Sequence, residues 1–360
     1  MKKLLSILFV LLLLCGCASQ QKEEESVPEE VVDPSTLTIV TPKGAPVLAF
    51  YDQIENENYT RVAADAIAAL WTGDNSPDVL VVDLTSGVKA IANGASYKLG
   101  AIITFGNFYL ASTGHDENDT MDADDKIVLF GNENMLPNKL WHYLYGNDYD
   151  DALLYEADAQ QAAAALASGK YSDGTEVDYV FLAQPALFGA MKQNENAKLY
   201  ADIQALYKEK SGLDMIQAAV FIKDSVDEKT GNAFLENLAN SIAAAINDPS
   251  LVADGLSVYT DEEATAQYGF NPNVVVNVFK QTNALGNNAM GLGYAKAIDI
   301  KDDIDAFLSI FGIEKTSEEF YVKSTFNLYF GNRNACHNVA SFCFDDRTKD
   351  DGLPGTGRIL

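Results

Sequence analysis

In Thr38-Ile39-Val40-Thr41-Pro42-Lys43-Gly44-Ala45-Pro46-Val47-Leu48, a short apolar run ends in a Pro- and Gly-rich turn. An apolar, helix-compatible segment follows as far as Ile54. β-Branched side chains favour a pleated strand, whereas Pro and Gly stop its pairing. Pro46 suits the first turn of a helix, where its missing N–H leaves no bond unmade. A strand that feeds a helix through such a turn aims backbone N–H groups at whatever sits in the loop. One such turn is weak evidence for a site, and its recurrence downstream is stronger.

Working outward, Val79 to Val82 reads as a buried parallel strand, bounded by Pro77-Asp78 and Asp83, and Thr85-Ser86-Gly87 opens a helix through Ala92. Ile127 to Phe130 leads through Gly131-Asn132-Glu133-Asn134 to a helix from Pro137 to Tyr145. Tyr179 to Leu182 leads through Ala183-Gln184-Pro185 to a helix ending at Met191. Between these units lie the strands Tyr59 to Val62, Leu99 to Thr104, Phe108 to Ser112 and Leu153 to Tyr155. The helices there are Ala63 to Leu70 and Asp158 to Ala167. From Tyr200 the pattern loosens. It continues as strands Ala218 to Ile222 and Met290 to Tyr294, and helices Thr230 to Ile246, Asp261 to Tyr268 and Pro272 to Phe279. Ile300, Ile304, Phe307, Leu308 and Phe311 form an apolar helical stripe suited to core packing. Alternating strands and helices predict α/β architecture with a parallel sheet. Ligands on such sheets sit beyond the carboxyl ends of the strands.

The N-terminus carries the most specific local signal. Lys2 and Lys3 precede the apolar run Leu4 to Leu14, which is too short to span a bilayer comfortably and reads as a signal peptide. It ends in Leu14-Cys15-Gly16-Cys17, which resembles a bacterial lipobox; the resemblance implies lipidation at Cys17 and a membrane-anchored chain. Residues 18–35 are acidic and carry Pro28 and Pro34, as expected of a disordered tether.

The chain has 360 residues, 48% of them hydrophobic, enough for two compact lobes. Its net charge of −27 argues against nucleic acid as a partner, because phosphate binding needs a basic face. Cys336 and Cys343 fall in the tail 326–360 with His337, Arg333, Arg347 and Arg358, so the body has no disulfide framework. The two thiols read as a disulfide or as free thiols, and the tail has no assigned role.

Few residues invite catalysis. His115 lies in the acidic loop His115 to Asp125, His142 in a predicted helix beside Trp141, and neither is marked as the base of a triad. An EF-hand loop read from Asp116 would place Met121 at its required Gly and Ile127 at its required Glu, so no metal site is expected there. Gly286, Gly291 and Gly293 lack the preceding strand of a dinucleotide fingerprint. No catalytic residue and no cofactor is assigned.

Taken in order, these features resemble the solute-binding lipoproteins of bacterial ABC transporters, within the branch that includes nitrate, alkanesulfonate and taurine binders and thiamine-pyrimidine-precursor binders. The resemblance rests on Thr41 to Pro46, Asp83 to Gly87, Thr104-Phe105-Gly106-Asn107-Phe108-Tyr109-Leu110, Asp178 to Pro185, Gln217 to Phe221 and Ala297 to Phe307. It implies a two-lobe, type II periplasmic-binding-protein fold with a hinge. Residues 36–105 and 206–298 would form lobe one, 106–205 lobe two and 299–325 a closing helix. It further implies a monomer that captures a small molecule between its lobes and delivers it to a membrane permease from the extracytoplasmic face. The ligand would touch Pro42, Lys43, Gly44, Ala45, Thr85, Ser86, Gly87, Asn107, Phe108, Tyr109, Asn132, Asn134, Gln184 and Pro185. Backbone N–H groups and the Thr85 and Ser86 hydroxyls suit a polar or anionic group, and Phe108 or Tyr109 a planar ring. Arg61 is the only arginine before the tail and none lies near these turns, so a neutral or heteroaromatic ligand is favoured over a sulfonate. The alternatives are an enzyme on the same fold, of the pyrimidine-precursor or menaquinone-pathway type, and a surface sensor lipoprotein.

Overall fold

The computed structural model describes residues 33–323, apart from 74, 116–118 and 285–287. The signal peptide, Cys17, nearly all of the tether, Gly286 and the tail with Cys336, His337 and Cys343 lie outside the described residues. Pro34–Thr36 form a short 3-10 turn whose Asp33 side chain accepts the Ser35 N–H, so folded chain begins inside the expected tether.

Two sheets organise the chain. The first contains β1 (Ile39–Pro42), β2 (Tyr59–Val62), β3 (Val79–Asp83), β4 (Tyr97–Thr104), β10 (Ala218–Lys223) and β11 (Leu292–Lys296), in the order β11-β4-β10-β3-β1-β2. The second contains β5 (Phe108–Ser112), β6 (Ile127–Phe130), β7 (Leu153–Glu156), β8 (Tyr179–Ala183) and β9 (Lys198–Asp202), in the order β7-β6-β8-β5-β9. The α/β class is as expected, but the purely parallel sheet is not. β1 pairs in parallel with β2 and β3, and β6 with β7 and β8, whereas β4, β5 and β10 run antiparallel to each strand beside them, β4 adding one parallel bridge from Leu99 to Tyr321. The cause is topological. The chain leaves the first sheet after β4 and returns through β10, so the crossing strands run against their neighbours.

The helices are α1 (Leu84–Ala92), α2 (Leu136–Tyr145), α3 (Ala159–Ser168), α4 (Ala186–Met191), α5 (Ile203–Ser211), α6 (Glu228–Asn247), α7 (Ser250–Leu256), α8 (Asp261–Tyr268), α9 (Pro272–Ala284) and α10 (Lys301–Ile310). The expected lobe boundary at 205/206 falls inside α5; the chain leaves that helix at Gly212 and re-enters the first sheet at Ala218. None of the described helices is long and apolar enough to cross a membrane.

Both segments flanking β2 are 3-10 rather than α-helical, Ala45–Gln53 with a kink at Phe50 and Ala64–Leu70. α10 buries Ile304, Phe307 and Leu308, as its stripe predicts. Phe307 lies 5.8 Å from the Tyr207 ring of α5 and Phe311 lies 6.4 Å from the Tyr143 ring of α2, so the closing helix binds elements that follow strands of the second sheet.

The polar anchor of this closure is Asp305, which is 5% exposed. Its carboxylate accepts Lys301 Nζ at 2.5 Å and, from Thr316, the backbone N–H at 2.9 Å and the hydroxyl at 2.8 Å. Burial raises its pKa, but these three bonds outweigh burial and hold it below the usual carboxylate range. Its stabilisation is therefore present above the unfolded carboxylate pKa, roughly 3.9, and lost as pH falls through the lower folded value. Asp305→Asn should cost about 2–3 kcal/mol at pH 7 by urea denaturation, with the gap from the unsubstituted protein closing below about pH 4.

Candidate ligand-binding cleft

Between the two sheets lies a cleft of about 560 Å³, in the range of small-molecule sites. The first lobe contributes Pro42 to Pro46, the face of the Ala64–Leu70 turn, Trp71, and the start of α1. The second contributes Phe108, Phe130, Asn132, Asn134, the start of α2, Asp158 to Gln160 and Gln184 to Ala186. Strand ends converge here because β1, β3, β6 and β8 each finish at a turn that opens on the same space.

At the back, Asn107 is fully buried and joins three segments. Its side-chain N–H donates to the Gln184 carbonyl at 2.9 Å, its side-chain oxygen accepts from Gln217 Nε2 at 2.8 Å, and its own carbonyl accepts the Gln184 N–H at 2.8 Å. Gln217 Oε1, buried in the same wall, has no protein partner and is free to accept from a ligand. The neighbouring turn is tight. Gly106 has φ 101°, and a Cβ on Gly291 (φ 63°) would come within 2.3 Å of the Gly106 carbonyl oxygen, so the crossover requires glycine at both positions.

The cleft wall includes Pro42, Lys43, Gly44, Ala45, Ser86, Asn107, Phe108, Asn132, Asn134, Gln184 and Pro185, and so brings most of the sequence-predicted residues together. Thr85, Gly87 and Tyr109 are placed elsewhere. Thr85 is fully buried; its hydroxyl donates to Asp83 at 2.6 Å and accepts from Lys139 Nζ at 2.7 Å, a bond from α2 across to α1. Gly87 faces Phe221, whose ring would lie 2.0 Å from an added Cβ. Tyr109 follows Phe108 on β5 and so points to the opposite face of the sheet, packing with Val128, Val180 and Leu182. Burial, then the charge of Asp202, pushes its phenol pKa up.

The expected cradle of backbone N–H groups is also largely spent. Lys43 N–H bonds Val62, Gly44 N–H bonds Tyr268, Ser86 N–H bonds the Asp83 cap, Gly131 N–H bonds Glu156 and Asn134 N–H bonds the Asn132 side chain. Recognition therefore falls to side chains. Lys43 does not point freely into solvent, because its ammonium donates to the Ala266 carbonyl at 2.5 Å, in the last turn of α8, where a cation is favourable. Lys139 is held behind Thr85; burial lowers its pKa and the charge of Asp83 opposes that fall.

Arg61 does lie beside the first turn, since it is the β2 partner of Thr41. Its guanidinium nevertheless turns away from the cleft, donating to Tyr259 at 3.2 Å and lying 4.9 Å from the Tyr59 ring and 5.7 Å from the Tyr268 ring. Among the described residues, no arginine and no histidine lines the cleft. The sequence reading missed Trp71, Lys89, Phe130 and Gln217. Trp71 packs edge-on against Tyr97 and Phe221 at 5.2 and 5.3 Å, and only the fold reveals that another edge faces the cleft.

No family model matches the sequence and no curated protein matches it. Solved structures do match the fold. An ABC transporter protein from Parabacteroides distasonis superposes with a TM-score of 0.62 at 20% identity, over 81% of this chain and 99% of that one. The ligand-binding component of an ABC-type import system from Staphylococcus aureus, solved with zinc bound, gives 0.56 at 12% identity, over 80% and 96%. The periplasmic aliphatic sulphonate-binding protein of Escherichia coli gives 0.53 at 13% identity, over 90% and 98%. The chain has the two-lobe α/β fold of periplasmic binding proteins.

Two substitutions separate wall from packing. Gly87→Ala should lower stability by roughly 1–3 kcal/mol in denaturant melts through the clash with Phe221, with little effect on ligand affinity. Trp71→Phe should remove most of any ligand-induced change in tryptophan emission, because Trp141, the other tryptophan, is fully buried away from the cleft.

Proposed function

We propose that this protein is the extracytoplasmic solute-binding component of an ABC importer, a monomer tethered through a lipid on Cys17, which captures a small molecule between its lobes and passes it to a permease. The observation that carries this reading is the cleft itself, walled by both sheets and backed by the two chain crossovers at Thr104 to Phe108 and Gly212 to Ala218. Such crossovers are where hinge closure around a ligand takes place. The neighbours of this fold are named as transport binding proteins, which supports a carrier over an enzyme.

The chemistry of the wall points to the ligand class. Trp71, Phe108 and Phe130 supply aromatic surface, and Asn107, Gln184 and Gln217 supply amides. Among the described residues of the wall, Asp65, Asp83 and Asp158 outnumber the cations Lys43 and Lys89, which disfavours an anion; Lys43 is already bonded to the Ala266 carbonyl, and Lys139, behind the wall, to Thr85. A flat, neutral or weakly basic heteroaromatic molecule with an N–H donor for Gln217 Oε1 fits this wall. A sulfonate does not, because no arginine among the described residues of the wall is present to bind it bidentately.

Thermal-shift screening of purified protein against pyrimidines, flavins, amino acids and sulfonates tests the proposal. A ligand at a hundredfold excess over its Kd should stabilise the fold by about 2.7 kcal/mol. Gln217→Met should then weaken binding of that ligand about tenfold by calorimetry, the worth of one good hydrogen bond in a buried site. If no compound in these classes shifts the melting temperature, the receptor reading fails; if only sulfonates do, the ligand class is wrong.

A further inference from the structure

The second lobe carries a side-chain cluster that the cleft does not use. His115, Asp125 and Asp178 each offer one donor atom, and these atoms all lie within 4.8 Å of one another. The residues come from three separate segments: His115 follows β5, Asp125 precedes β6 and Asp178 precedes β8. His115 Nε2 stands 3.3 Å from Asp178 Oδ1, and its Nδ1 stands 3.9 Å from an Asp119 carboxylate oxygen. The cluster is held in place from outside. Asp178 Oδ2 accepts the Lys126 N–H at 2.8 Å, and the His115 ring stacks on Tyr179 with centroids 5.1 Å apart. Ligands fixed by such outer bonds are the usual surroundings of a metal.

A second observation concerns Tyr179, which is 0% exposed. Its hydroxyl has no hydrogen-bond partner, an arrangement that native interiors rarely tolerate. The ring that bears it is the one stacked on His115, so this unpartnered buried side chain lies against the cluster. A water molecule bound to a cation in the cluster would give the phenol the acceptor it lacks.

We propose that His115, Asp125 and Asp178 form a binding site for a zinc-class divalent cation, with Asp119 beside them and the Tyr179 hydroxyl bonded to a metal-bound water. The donor set selects the ion. Calcium and magnesium take all-oxygen shells, whereas an imidazole among carboxylates suits a first-row transition ion. Donors on a tetrahedral zinc ion stand roughly 3.4 Å apart; the His115–Asp178 separation of 3.3 Å meets that spacing, and Asp125, whose Oδ2 accepts the Asp122 N–H at 2.7 Å, would have to draw closer on binding. An EF-hand template fails on this loop because it asks for ligands along one segment, whereas Asp178 arrives from another strand. The ion would tie three loops together at one end of the β5–β8 pair. The cleft lies at the other end, since Ser112 pairs with Tyr179 and Phe108 with Ala183.

The test uses the full chain, stripped with chelator and titrated with zinc by calorimetry, with melting curves in parallel. His115→Gln and Asp125→Asn are compared singly with the unsubstituted protein; both side chains are half-exposed, so either variant serves if the other misfolds. Cys336, Cys343 and His337 are present in all three proteins, so the difference isolates the cluster. The unsubstituted protein should bind one more tight equivalent than either variant, and its zinc-induced rise in melting temperature should be largely lost in both. Equal stoichiometry and equal melting shifts in unsubstituted protein and variants overturn the site.

Discussion

The junction between the two sheets depends on the hydrogen bonds around Asn107. One buried amide joins the outgoing crossover, the end of β8 and the start of the returning strand. In a low-dielectric wall each of these bonds is strengthened by its neighbours, and leaving one unmade is costly. The two sheets are consequently tied to each other along this line. A cleft backed by such a seam, with walls from both sides, is where closure about a hinge would act.

A second contact crosses the opening. Lys139 on α2 donates to Thr85 on α1, and Thr85 in turn donates to the Asp83 cap. Burial lowers the pKa of this lysine, and the charge of Asp83 behind the hydroxyl opposes that fall. This chain of bonds draws the lobes together on the side of the cleft where Thr85 meets α2. It also explains why the hydroxyl that looks best suited to a ligand from sequence is unavailable to one. A polar side chain in a strand-to-helix turn has two uses, ligand contact and lobe closure, and spacing alone cannot distinguish them.

Much of the fold was legible because its signals are local. Val79 to Val82, Ile127 to Phe130 and Tyr179 to Leu182 are unbroken apolar runs that must be buried on both faces, and each forms a central strand. β9 was not legible: Lys198–Asp202 lies at a sheet edge, with charged residues at both ends, so no burial pattern marks it. α5 and α7 were missed for a related reason, since each buries only two residues. Strand direction was unreadable in principle. Antiparallel pairing of β10 arises from the return crossover, and nothing within Ala218–Lys223 records which way its neighbours run. At the site, the turns that end strands were found from their Pro, Gly and Asn content, while Trp71, Phe130 and Gln217 came only from tertiary placement. Tyr109 was misassigned because period-2 alternation allows one of two adjacent aromatics to face the cleft, and it is Phe108.

The same alternation connects the cleft to the cluster at His115. β5 and β8 run antiparallel from Phe108 and Ala183 at the cleft to Ser112 and Tyr179 beside the cluster. These strands are buried throughout except at Ala183, and their pairing is continuous, so they behave as a stiff unit. A bond formed among His115, Asp125 and Asp178 would hold the outer end of that unit without altering the side chains that face the ligand. If the chain is the hinged receptor proposed above, rigidity of one wall would matter to it. If the second lobe moves as a body, ligand binding free energy goes into closing the hinge rather than into ordering the wall. The strand pair that presents Phe108 to the cleft is then also the element whose far end most needs fixing, and that is where the acidic loop and its histidine are placed.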